Sequence, residues 1–446
     1  MSRVPLHSSW ALALSCSALT LLALAPTAPV AAAIRTVTNC NDSGPGSLRS
    51  VVANALSGDT IDLASLGCNR ILLTSGAIDV SQNDLALSGR NPWALTIDGG
   101  GTDRVFLHAG TGVLRLRRIS VANGKIVRDT PEESGGCVSS YGSVEAIGSW
   151  IHHCQVQATG GDAPSADGGA IAADNKVMLS YSKAYASSAT AFGSGYGGGV
   201  SAREVVLHRS QVYGNYADYA GGGIVGESVS AGLSTIHDNR ADQRGGGVYI
   251  SFACFDRQDC TFRLDKSTVS ANHSTDFGGF DASNATTAVF VDSTVSGNSA
   301  GIYSAGELAP DARIFNSTIA SNQDTRVCFN ILHVSQQLDL VSSIVSGNTC
   351  TAGAVDDLGG VIGAQVTGSD NIIGYSSLQL PPDTIFADPR LAVLADNGGP
   401  TRTHMPLANS PALESGSNPL NLKYDQRGAG FRRKKGAAVD IGAIER

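Results

Sequence analysis

Rings and polar tips recur in the sequence at a spacing of two residues. Trp150 and His152, Lys183 and Tyr185, Gln211 and Tyr213, then Thr235 and His237 form four successive pairs. Aromatic faces offer flat apolar contact, and imidazole, amide and phenol groups hydrogen-bond hydroxyls. Trp150, His152, Lys183, Tyr185, Gln211, Tyr213 and His237 are therefore the expected ligand-binding residues. Asp218 and Asp242 each stand three residues before a glycine triplet. Two such carboxylates can serve as acid and base in glycoside hydrolysis, or can hold Ca2+ for a lyase. Tyr213 or His237 would then act as general base. Against this stand plainer readings: Asp favours turns, and Tyr, Trp and Thr suit any strand surface. No cysteine or histidine cluster has metal-ligand spacing, so no cofactor is expected, and Ca2+ enters only through the lyase reading.

The elements that must carry these pairs are repeats. SQVYGN (Ser210 to Asn215), STIHDN (Ser234 to Asn239), STVSAN (Ser267 to Asn272), STVSGN (Ser293 to Asn298) and STIASN (Ser317 to Asn322) are versions of one hexad, and SSIVSGN extends it to Asn348. Weaker copies begin at Ser149 and Ser182, and glycine clusters lie between the copies. Leading serines are spaced 33, 28, 24, 33, 26, 24 and 26 residues apart. Alternation of period two marks a strand. The column from Ile151 through Ala184, Val212, Ile236, Val269, Val295 and Ile319 to Val345 must face a core. The leading serines share that parity. The second and fourth residues point outward, rich in rings at first and bland from Thr268 onward. Asn closes the hexad where a turn is expected, because Asn tolerates the left-handed conformation, and stacked asparagines can pair between coils.

A unit of about 24 residues holds short strands and turns but no helix, so each strand pairs with its copy one coil on. The predicted fold is an all-β, right-handed parallel β-helix. Ser47 to Leu56 reads as an amphipathic helix with Ser47 as N-cap, placed to cover the first coil. The predicted organisation is a signal peptide at 1–33, an N-terminal cap and irregular first coils at 34–110, a regular β-helix at 111–380, and an irregular C-terminal cap at 381–446. Arg3, the apolar run from Trp10 to Ala25 and Ala31-Ala32-Ala33 carry the signal-peptide reading. Beyond that run, no apolar stretch is long enough to span a bilayer.

Composition agrees with a solenoid. Of 446 residues, 53 are glycine, 6% are aromatic and 16% are charged, too few large side chains for an ordinary core. A net charge of −8 argues against nucleic acid as a partner. The basic run Arg432 to Lys435 reads as a solvated loop. Beyond Cys16, eight cysteines remain, and in an exported chain they read as disulfides, favoured as four sequence-local pairs taken in order.

Two further stretches carry a family resemblance. TNCNDSGPGSLRSVVANALSGDTIDL (Thr38 to Leu63) resembles the start of many exported bacterial β-helix proteins. DNGGPTRTHMPLANSPALESG (Asp396 to Gly416), DQRG (Asp425 to Gly428) and VDIGAIE (Val439 to Glu445) resemble the choice-of-anchor Q domain. GGAI (Gly168 to Ile171), beside the recurring Asn-closed turns, is more weakly similar to repeats of polymorphic outer membrane proteins, which are surface adhesins. The resemblance implies a pectate-lyase-like β-helix, secreted or at the cell surface, and carries no catalytic motif. The expected function is binding of an extracellular polysaccharide or cell-surface glycan without catalysis. The alternatives are a polysaccharide lyase or glycoside hydrolase on the same sheet face, or a structural envelope protein.

Overall fold

The computed structural model describes residues 32–254 and 259–446, so the expected signal peptide falls outside the described residues but for Ala32 and Ala33. From Ile34 the chain winds as a parallel β-helix, as predicted. One sheet has 12 strands and contains every hexad; a second has 21 strands, and smaller sheets of five, three and three strands fill the remaining side. The described strands pair in parallel, and the hexad strands do so in register: Ile151 faces Ala184, then Val212, Ile236, Val269, Val295, Ile319 and Val345 on successive rungs. These residues are buried and stack along the axis of the cylinder. No helix among the described residues is long and apolar enough to cross a membrane.

Short polar side chains brace the corners. Each leading serine presents its hydroxyl to the backbone N–H of the serine one rung earlier, from Ser149–Ser182 at 3.0 Å through Ser317–Ser343 at 3.1 Å. At the other end of the hexad the asparagines form a ladder. Asn215 Nδ2 donates to Asn239 Oδ1 at 2.9 Å, and the same bond repeats through Asn272, Asn298 and Asn322 to Asn348. Asn348 then donates to Asp357 Oδ1 at 2.7 Å, which closes the series. The turn itself lies one residue earlier than expected. Positive φ occurs at Gly214, Asp238, Ala271, Gly297 and Ser321, not at the closing asparagines. Asn is there because its amide satisfies buried backbone groups above and below it, not because it takes the left-handed conformation.

Glycine clusters mark the opposite corner, where successive coils touch backbone to backbone. A Cβ on Gly222 would meet Arg240 C at 2.3 Å and Gly246 O at 2.5 Å, so no larger residue fits. The N-terminal helix spans Leu48–Ala53, with Ser47 accepting from Ser50 N–H, and buries Leu48 and Val52 over the first coil. The four disulfides are the sequence-local ones, Cys40–Cys68, Cys137–Cys154, Cys254–Cys260 and Cys328–Cys350.

The C-terminal stretch is irregular, as predicted, but it does more than cap an end. Ile385 pairs with Ile372 beyond the last rung, and the chain then returns along the outer face of the hexad sheet. Thr268 Oγ1 donates to Arg402 O at 2.8 Å, Ser296 Oγ meets His404 Nε2 at 2.7 Å, and Ala443 N–H donates to Thr318 Oγ1 at 3.0 Å. Arg433, expected in a solvated loop, is fully buried. Its guanidinium donates to Asp440 O and Gly442 O at 2.9 and 2.8 Å and lies 3.6 Å from Asp292. A planar fork of donors suits that set of carbonyls and carboxylate. Arg432, Lys434 and Lys435 remain exposed.

Candidate functional site

The returning segment divides the outer face of the hexad sheet in two. Thr268, Ser270, Thr294, Ser296, Thr318, Ile344 and Ser346 are buried beneath it. The half that carries the rings is left open. Trp150, His152, Lys183, Tyr185, Gln211, Tyr213 and His237 are all half-buried and point outward, while Thr235, nearest the covering segment, is buried.

The register that stacks the core also stacks the rings. His152 lies over Tyr185 at 4.6 Å between centroids and 16° between planes. Tyr185 lies over Tyr213 at 4.8 Å and 2°, and Tyr213 over His237 at 4.9 Å and 3°. Identical spacing of parallel strands, about 4.8 Å, forces this ladder. Ring faces are therefore spent on one another, contrary to the expectation that they lie free for a ligand. What the strip presents is ring edges and polar tips. Neither the Tyr185 nor the Tyr213 hydroxyl has a hydrogen-bond partner among the described residues. At one end Trp93, strongly exposed, meets Trp150 at 5.4 Å, and Lys183 Nζ lies 5.3 Å from the Trp150 ring centre.

The two histidines of the ladder differ. His152 bonds Ser120 Oγ at 2.9 Å and His153 Nδ1 at 2.7 Å, and burial with the neighbouring His153 pushes its imidazole down to about 4. It is a neutral spacer with both nitrogens engaged. His237 Nδ1 is held by Asp238 Oδ2 at 2.6 Å, which leaves Nε2 turned away from that carboxylate. A base oriented by a carboxylate is the arrangement acid–base chemistry uses. Burial raises the phenols of Tyr185 and Tyr213, so both stay protonated donors at neutral pH.

Asp218 and Asp242 do not join this strip. Asp218 accepts from the backbone N–H groups of Ala191, Gly193 and Gly195 at 2.9, 3.0 and 2.6 Å, and so clasps one loop. Asp242 accepts from the Tyr216 hydroxyl at 2.7 Å and pairs with Arg240 at 3.3 Å. The segments Gln155 to Asp167 and Ser188 to Gly195 lie off the strip. Their strands pair in the smaller sheets, and Ser165 and Asp167 line a trough on the 21-stranded sheet.

That trough was not foreseen. Its floor is Ser139, Ala172, Ser201 and Val225, each two or three residues after a glycine cluster, followed by Tyr249. Its signal in the sequence is that this position follows a buried Val or Ile in each of these five coils, Val138, Ile171, Val200, Ile224 and Val248. Glu414, Asp440 and Glu445 bring carboxylate oxygens within 4.8 Å of one another, the one such group among the described residues. Their oxygens accept backbone N–H bonds from Ala438, Glu414, Arg446 and Asp440, which ties the C-terminal segment to itself.

No family model matches the chain, and no curated protein matches it. Among solved structures it is similar to the crystal structure of pectate lyase Pel9A, at 14% identity over 93% of this chain and 96% of that one, with a TM-score of 0.44.

Proposed function

We propose that the protein is an extracellular β-helix that binds a polysaccharide or cell-surface glycan across the open strip, without cleaving it. The observation that supports this most is the division of the hexad sheet. Its outer face is sealed by the chain's own segment from Thr268 to Ser346, where the outward residues are Thr and Ser with Ala320 and Ile344, and is open where they are rings, Lys183 and Gln211. The strip's phenols, amide, amine and imidazole supply donors and acceptors on a fixed spacing of about 4.8 Å. Four disulfides suit an oxidising compartment. The choice-of-anchor Q likeness fits the sealing role of Asp425, Gln426, Arg427 and Glu445, since those motif residues hold one another and the sheet.

One observation favours the enzymatic alternative, the Asp238-oriented imidazole of His237 stacked on the Tyr213 ring. A glycan panel assayed together for binding, new reducing ends and unsaturated uronate absorbance separates the two. Binding without turnover, weakened at least tenfold by joint replacement of Tyr213 and His237 with alanine, is expected. Turnover lost in His237→Asn would establish the enzyme instead, and glycan binding indifferent to the double variant would remove the strip from either role.

A further inference from the structure

The trough on the outer face of the 21-stranded sheet has the properties of a second ligand site. Two open spaces of about 710 and 340 Å3 share Ser165, Asp167, Asp174 and Ser201, so they form one channel along the helix axis. Its floor is low where the outward residues are Ser139, Ala172 and Ser201; from Ser139 to Tyr249 it crosses five rungs, about 19 Å at the usual strand spacing. One bank is the corner strand pair Glu132–Ser134 and Ser165–Asp167. The other bank is made by a bulge: between Ala173 and Lys176 the strand has one residue more than its neighbour, which places Asp174 at the edge. Bulges re-aim side chains in this way.

The lining fits a hydroxyl-rich chain. Ser139, Ser165 and Ser201 offer hydroxyls, and Asp167 has only long bonds, 3.3 Å from Ser165 and 3.5 Å from Ser201, so its oxygens retain room for further donors. Tyr141 and Phe252, 55% and 48% exposed, stand at opposite ends of the channel. The Tyr141 ring has no ring or cation partner among the described residues, so its face suits the apolar face of a sugar ring, whereas Phe252 packs against Tyr249 and beneath the Arg244 guanidinium. Charge narrows the class. Arg104 and Arg128 are tied to Glu133 at 2.9 and 3.6 Å, and Arg203 lies 3.7 Å from Glu227. Glu132, Asp167 and Asp174 have no ion-pair partner among the described residues. A polyanion laid there meets three carboxylates and, among the described lining residues, no cation without an ion-pair partner. Burial and the nearby Glu132 push the Asp167 carboxyl up to about 6, in keeping with that crowding.

We propose that this trough is a second carbohydrate site, one that takes a neutral glycan chain along the helix axis and rejects uronate polymers. It stands independently of the ring strip. Calorimetric titration of the protein with cellohexaose, xylohexaose and mannohexaose, and separately with hexagalacturonate, tests it. At least one neutral hexaose is expected to bind. Asp174→Ala, an exposed and unpaired position, should weaken that binding at least tenfold, and Ser201→Phe, which fills the floor, should abolish it. Failure of all three neutral hexaoses to bind overturns the proposal, as does neutral binding indifferent to Asp174→Ala. Hexagalacturonate binding that is lost in Asp174→Ala overturns the selectivity.

Discussion

Thr294 Oγ1 donates to Gln426 Oε1 at 2.6 Å, across 132 residues of sequence, and this bond fixes the C-terminal segment to the middle of the hexad sheet. Gln426 Nε2 also donates to Thr268 Oγ1 at 2.9 Å and Thr401 Oγ1 at 3.0 Å. One buried amide thus serves hydroxyls on two rungs.

Gln426→Ala should leave the buried Thr294 hydroxyl without its partner and remove the bonds that the Thr268 and Thr401 hydroxyls accept. An unsatisfied buried polar group costs roughly 1–3 kcal/mol, so a loss at the upper end of that range is expected in urea unfolding. Hydrogen exchange should rise at Thr268, Thr294 and Thr318 and stay unchanged on the open rungs. Uniform exchange along the sheet would show that the segment is not fastened there.

The asparagine ladder should be the least forgiving element of the coil. Asn272 Nδ2 donates both to Asn298 Oδ1 and to Ile236 O, each at 3.0 Å, and its own Oδ1 accepts from Asn239. Asn272→Ala removes all of these in a buried site and should lower stability by roughly 3 kcal/mol. A loss below about 1 kcal/mol in equilibrium unfolding would mean the ladder is incidental to the fold.

Tyr213 separates packing from recognition. Tyr213→Phe keeps both ring stacks and should leave thermal unfolding unchanged while removing a hydroxyl that faces solvent. Tyr213→Ala removes the stacks on Tyr185 and His237, each worth about 0.5–1.5 kcal/mol, and should lower stability by about 1–3 kcal/mol. Equal stability of the two variants would mean the ladder carries no packing energy.

Acid should favour the fold at Asp324. The group is fully buried, its Oδ1 accepts Ser304 N–H at 2.9 Å, and burial pushes its carboxyl up to about 7. A folded value above the ordinary 3.8 means that the native state holds the proton more tightly. The contribution is complete below that ordinary value and is lost as pH rises through about 7. Glu307, also pushed up to about 7, acts with the same sign. Asp324→Asn should therefore gain stability relative to the unaltered protein as pH goes from 4 to 8, measured as the difference in urea midpoint at each pH. A difference that shrinks over that range would contradict the assignment.

Much of this architecture was legible in the hexads. Their period-two alternation fixed which residues enter the core, and the fixed serine and asparagine fixed the register, so the stacking of Tyr185 on Tyr213 follows from counting alone. The turn residue was misplaced because asparagine has two uses, and only the burial of Asn215 and its neighbours shows which one applies. The bland Thr and Ser columns were legible as columns but not as a fastening, since their partners Arg402, His404 and Gln426 lie more than a hundred residues away and outside any repeat. The trough was missed for a related reason. Its parts come from a floor, a corner and a bulge, and no single segment carries its pattern.

The return of the segment from Thr401 to Glu445 also sets an order of assembly. Gln426 reaches back 158 residues to Thr268, so its bond cannot form until the rungs between them have been laid down and aligned. Coil-to-coil pairing joins neighbours in sequence and can propagate stepwise, whereas this closure depends on a long-range encounter, the slow kind of contact. During that interval the Thr and Ser part of the face lies bare to water, wetted rather than sticky, because most of its side chains are hydroxyls, and the apolar contact of Ile344 and Ile372 with Ala412 and Ile441 is confined to the last rungs. A late-closing lid over apolar residues would have left an aggregation-prone intermediate; a hydrophilic seam lets the cylinder wait.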